Sequence, residues 1–161
     1  MDLKDQVSEV TPIIDYNVKK LCVKPYHNHK FGCPNWNKRE GCPPKAKKFE
    51  DIVDMQKPIY CIWNKFDLGR HIEKMRVAHP KWSKYQLRCC LYWQGTARKQ
   101  LKEAIERHKR FLGSIILTVP EAYGVNVTET MKRLGIELEW PPEKYAYQIA
   151  LAGSPKRPCQ P

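Results

Sequence analysis

At 161 residues with 42% hydrophobic side chains, the chain has the length of one domain and enough apolar surface to build a core without staples. Its 29 Lys and Arg outnumber 17 Asp and Glu and leave a net charge of +12, a positive field that attracts polyanions, nucleic acid first among them. No run approaches the roughly 18 apolar residues that a membrane span needs, and the start MDLKDQVSEV lacks the basic-then-apolar order of a secretory signal, so a cytoplasmic protein is expected.

Residues 1–20 read as a polar lead-in, with a short helix or strand over 18–23. Residues 22–46 mix Gly, Pro, Asn and Lys with spaced cysteines and show no hydrophobic period, which predicts an irregular loop organised by something other than a core. After Pro43-Pro44 a short helix is predicted over 45–55, with Phe49, Ile52 and Val53 on its apolar side. PIYCIWNKF at 58–66 predicts a strand, and Asp67 caps a helix that runs to Ala78 and ends at His79-Pro80. Ser83 followed by Gln86 is a capping-box pattern, and it opens the longest predicted helix, to Leu112, with a bend expected at Gly95. SIILTV at 114–119 predicts a buried strand, and 126–135 a helix capped by Asn126 or Thr128 and stopped by Gly135. YAYQIALAG at 145–153 predicts a last strand, followed by a loose tail over 154–161. This alternation predicts a single α/β domain over 1–153, a small, partly parallel sheet flanked by helices with an irregular cysteine-rich metal-binding loop near the N-terminus.

Seven cysteines do not pair off, and thiols that persist in a reducing compartment point to metal ligation ahead of a disulfide framework. Cys22, Cys33 and Cys42 are separated by ten and eight residues, and the latter two stand in GCPN and GCPP. Proline after a cluster cysteine fixes the turn, and glycine before it lets the backbone bend close to the sulfides. These three are the predicted ligands of a [4Fe-4S] cluster. Zinc is the alternative, with His27 and His29 inside the loop, but no two of its cysteines stand two to four residues apart as in zinc loops. Of the remaining cysteines, Cys61 reads as core and Cys159 lies in the tail. On a continuous helix Cys89 and Cys90 face different sides, so at most one reaches the loop, and Cys90 on the apolar face reads as packing. That leaves three protein ligands and an open iron, or a fourth ligand from Cys89 or Cys90.

RCCLYWQGTARKQL at 88–101 interleaves aromatic and basic residues. Trp93, Gln94, Arg98 and Lys99 are the candidate substrate-binding residues, because rings and guanidinium groups clamp bases and phosphates. From Lys84 to Arg110, eight basic residues face two acidic ones, Glu103 and Glu106, which keeps this helix positive. Glu121, between a strand and a helix, reads as a solvated loop carboxylate.

GCPP before an acidic helix, together with PEAYGVNVTETMKRLG, resembles a family of predicted cysteine-rich metal-binding proteins of bacteria and archaea. The likeness covers residues 22–56 and 114–153 and implies an iron–sulfur or other metal role. Members of that family carry further cysteines before the Glu-Ala-x-Gly segment, whereas FLGSIILTVPEAYG has none, so a second cluster is not carried over. The expected activity is an open-site [4Fe-4S] cluster acting on a sulfur-containing or nucleotide-like anion. The alternatives are a zinc- or cluster-stabilised nucleic-acid-binding module and an electron carrier that meets a redox partner.

Overall fold

The computed structural model describes residues 6–26 and 29–157. Among these residues, four strands form one sheet: β1 (Val7–Glu9), β2 (Tyr60–Asp67), β3 (Ile115–Leu117) and β4 (Tyr145–Gly153), in the spatial order β1-β2-β4-β3. Every pair is antiparallel, with Tyr60 opposite Ala152, Asp67 opposite Tyr145, and Leu117 opposite Leu151. The expected partly parallel sheet is therefore corrected. β2 and β3 do run in the same direction, as a strand–helix–strand unit requires, but β4 slots between them and pairs with both.

Among the described residues, five α-helices accompany the sheet: α1 (Phe49–Ile52), α2 (Leu68–Ala78), α3 (Lys84–Arg88), α4 (Gln94–His108) and α5 (Val127–Arg133). Strand alternation splits the core between two faces. Cys61 and Trp63 of β2 and Leu151 of β4 pack with Phe49, Val127 and Met131 on one face. Ile62, Ala150 and Ala152 meet Leu101, Ala104, Ile105 and Leu112 on the other. Three alanines on that face of β4, counting Ala146, let α4 lie close to the sheet, and the buried Asn64 donates its amide to Gln100 on α4 at 3.0 Å.

The predicted caps are present. Asp67 accepts the Arg70 N–H at 2.9 Å, and Asn126 accepts that of Glu129 at 3.1 Å. Ser83 and Gln86 make the reciprocal capping box, Ser83 accepting the Gln86 N–H at 3.2 Å and Gln86 that of Ser83 at 2.9 Å. The long helix from Ser83 is corrected: α3 ends at Arg88, Cys90–Tyr92 form a 3₁₀ turn, and α4 begins at Gln94. The break is held by the Trp93 indole N–H, which donates to the Arg88 carbonyl at 3.1 Å, and Gly95 sits within the first turn of α4. The tail is anchored further than expected. Ser154 accepts the Asp54 N–H at 2.9 Å, and Lys156 donates to Ile52 at 2.8 Å. Cys159 lies outside the described residues. Among the described residues, no helix is long and apolar enough to cross a membrane.

Candidate metal centre and cleft

The segment that carries the first cysteine is a 3₁₀ helix, Tyr16–Val23, opened by Asp15, whose carboxylate accepts the Asn17 N–H at 3.0 Å. It packs on a second 3₁₀ turn, Pro120–Tyr123, which follows β3. Asp15 N–H donates to Gly124 O at 2.8 Å, and a Cβ on Gly124, at φ +92°, would enter the Tyr16 ring. That contact sets Cys22 beside Glu121.

From Cys22 the chain turns back on itself. Cys33 N–H donates to Cys22 O at 2.7 Å, a closeness that Gly32 makes possible: at φ +82° its Cβ would stand 2.6 Å from the same carbonyl. Successive turns then carry Trp36 N–H to Cys33 O at 3.1 Å, Cys42 N–H to Arg39 O at 3.0 Å and Ala46 N–H to Cys42 O at 2.9 Å. Pro43 is fully buried, and the Lys19 ammonium donates to Ala46 O at 2.9 Å, tying the two ends of the segment together. Residues 24–26 and 29–46 are mostly turns and bends, with their geometry fixed by hydrogen bonds and not by an apolar core.

Cys22, Cys33 and Cys42 are all half-buried free thiols, and they share one cleft of about 1040 Å³. Burial raises the Cys22 pKa, and Cys33, Cys42 and Glu121 add to the rise. Burial raises the Tyr26 pKa, and Cys33, Cys90 and Cys22 add to the rise. Cys90 packs on the cluster of Leu68, Trp93, Ala97 and Ala146 and is within electrostatic reach of Tyr26. Cys89, one residue earlier, is buried, and so is Cys61, whose sulfur lies 3.5 Å from that of Met131 and whose thiol is pushed up to about 12 by burial. His29 pairs its backbone with that of Tyr26 at 2.8 and 3.1 Å and lays its ring against the Tyr26 ring, while His27 is outside the described residues.

Trp93, Gln94 and Arg98 line the same cleft; Lys99 does not, and lies instead on the outer face of α4 paired with Glu103 at 4.0 Å. Trp93 is buried and stacked on Phe66 at 5.5 Å and 18°, so it forms wall and leaves clamping to others. The floor is β4 from Tyr145 to Ile149, and Trp140 stands on the rim, donating to Thr128 at 3.2 Å. Arg39, Arg98 and Lys102 make the cleft positive. Of its two carboxylates, Glu139 is engaged by the N–H groups of Glu143 and Lys144, both at 2.8 Å, which hold its pKa low. Glu121 is not the solvated loop group expected from the sequence: burial pushes its pKa up, partly offset by a backbone hydrogen bond.

The donor chemistry of this end of the cleft is soft, with three thiols lining it. Among the described residues, no three His, Cys, Asp or Glu side chains are preset around one metal ion. Tetrahedral zinc, with ligand bonds of about 2.3 Å, would require its sulfurs within roughly 4 Å of one another.

Comparison with protein-family models, curated proteins and solved structures gives no match. The family likeness therefore rests on the GCPP and PEAYG motifs alone.

Proposed function

We propose that the chain is an iron–sulfur protein in which Cys22, Cys33 and Cys42 hold a [4Fe-4S] cluster at the head of a positively charged cleft, with one iron facing an anionic, sulfur- or oxygen-bearing substrate. The observation that carries this reading is that three cysteines spread over 21 residues line one cleft with Gln94 and Arg98 of a distant helix. Bound there, a cluster supplies a Lewis-acidic iron. The chain's own residues do the rest. Arg39, Arg98 and Lys102 draw an anion into the cleft, Gln94 offers a polar edge to orient it, and Trp93 with the β4 floor excludes water on one side.

A second reading has its own observation. Cys90 is within electrostatic reach of Tyr26, as Cys33 and Cys22 are, and a fourth thiolate from it would close the cluster and turn the centre toward electron transfer to a redox partner.

Anaerobic purification followed by visible spectroscopy, with iron and acid-labile sulfide counted per chain, tests the proposal. Brown protein that loses its absorption in Cys22→Ser, Cys33→Ser and Cys42→Ser variants is the expected result. Colourless protein with one zinc per chain overturns it.

A further inference from the structure

The corner where α2 meets α3 carries a feature that the metal centre does not use. Here three rings stand in a column, His79 and Trp82 from the turn that joins the two helices and Tyr92 from the 3₁₀ turn that follows α3. His79 lies nearly parallel to Trp82, with centroids 4.0 Å apart and planes at 8°, and Trp82 meets Tyr92 at 4.7 Å and 32°. The two terminal rings stay open: His79 is exposed and Tyr92 is 50% exposed. A stack formed only to fasten the loop would bury its rings, because aromatic area is the chief gain from packing them. Val77 and Leu91, both 83% exposed, extend the apolar surface around the column.

The surrounding charge is one-sided. Between Arg70 and Arg88 there are six basic residues and a single acidic one, Glu73. Arg88 is paired with Glu143 at 3.6 Å, whereas Arg76, Lys81 and Lys84 are exposed and, among the described residues, form no ion pair. Exposed rings spaced like stacked bases, with free cations beside them, match the two halves of a nucleotide: a flat base and a phosphate.

We infer that this corner binds single-stranded nucleic acid, with bases extending the column at its His79 and Tyr92 ends and phosphates lying on Arg76, Lys81 and Lys84. A duplex hides its base faces and would leave the rings unused. A polyanion without bases would use the cations alone. The inference goes beyond the metal reading and does not depend on it. Tyr92 stands two residues from Cys90 in the same 3₁₀ turn, so a strand held here would run close to the cysteine loop.

The test is fluorescence anisotropy of the full-length protein with labelled single-stranded RNA and DNA of mixed sequence, against heparin as a polyanion without bases. Three neutralised phosphates predict a log–log salt slope of about −2. His79→Ala and Tyr92→Ala should each weaken oligonucleotide binding about five-fold or more, since one stacked base is worth about 1–3 kcal/mol, and leave heparin binding unchanged. Tyr92→Phe should keep the affinity and Tyr92→Leu lose it, a pair that separates stacking from folding. The double change K81E/K84E should weaken both ligands. Ring variants that bind oligonucleotide like the wild type, or wild-type protein that binds none at low salt, overturn the inference. Metal counted on the same samples separates the proposals: oligonucleotide binding by colourless, cluster-free protein overturns the cluster reading alone.

Discussion

Gly32→Ala probes the close approach on which the cysteine site is built. Gly32 sits at φ +82°, and a Cβ there would stand 2.6 Å from the Cys22 carbonyl and 2.9 Å from Val23 Cα. The left-handed conformation disfavours an L-residue by about 1–2 kcal/mol. The new contact is with backbone, so no rotamer change relieves it, and the 22–23 segment must move, adding about 1–3 kcal/mol as overpacking does. After partial relaxation we expect a loss of about 3 kcal/mol, with the Cys33–Cys22 backbone hydrogen bond lengthened beyond its 2.7 Å. Gly95→Ala is the matched control. Gly95 lies in α4 with nothing within 4 Å of its Cβ position, so alanine there should be neutral or stabilise by up to about 1 kcal/mol. Urea unfolding at unchanged slope reads the stability, and metal per chain reads the site. A Gly32→Ala protein as stable as the wild type, with full metal content, would refute the reasoning.

Two further substitutions sort the cysteines outside the loop. Cys90→Ser should alter the spectrum or lower the iron content if its thiolate closes the cluster, while Cys89→Ser should not; full retention in both favours an open iron and sinks the electron-carrier reading. Cys61 tests linkage. Burial raises its folded pKa from 9.0 to about 12, so the unfolded chain loses its proton first, and the stability this thiol contributes is whole below pH 9 and falls as pH rises toward 12. The slope is on the order of 1.4 kcal/mol per pH unit across that window. Cys61→Ala, which also leaves a small cavity beside Met131, should be less stable near neutrality yet flatter in alkali; an alkaline limb as steep as the wild type's would show that another group carries the loss.

Local chemistry was legible in the sequence and long-range chemistry was not. The caps at Asp67, Ser83 and Asn126 depend on residues three apart, and each stands where its side chain can reach the first free N–H groups. β4 was readable over its whole length because nine residues rich in β-formers and alanine have no competing helical stop. β1 was missed because three residues show no period, and its place beside β2 is decided by pairing across some fifty residues. The helix break at Cys89–Trp93 was hidden because the apolar spacing runs straight through it, whereas the bond from the Trp93 indole to the Arg88 carbonyl leaves no trace in that spacing. For the site, residue type announced the three loop cysteines. Nothing local announced Glu121, whose pKa burial raises and whose turn packs on a 3₁₀ segment about a hundred residues earlier in the chain.

One short strand connects the fold to the proposed chemistry. β4 pairs with β2 from Tyr145 to Ala152 but with β3 at 151–153 alone, so its first half has no strand on that flank and becomes the cleft floor. β3 stops because Pro120, with no N–H to donate, follows soon after Leu117 and opens a 3₁₀ turn. That turn delivers Glu121 to Cys22 and packs on the segment that carries the first cysteine. Had β3 continued along β4, it would have filled the cleft and carried the 120–123 turn away from Cys22. The insertion of β4 between two strands of like direction, which defeats the expectation of a parallel pair, is therefore also what opens a cleft beside the cysteines.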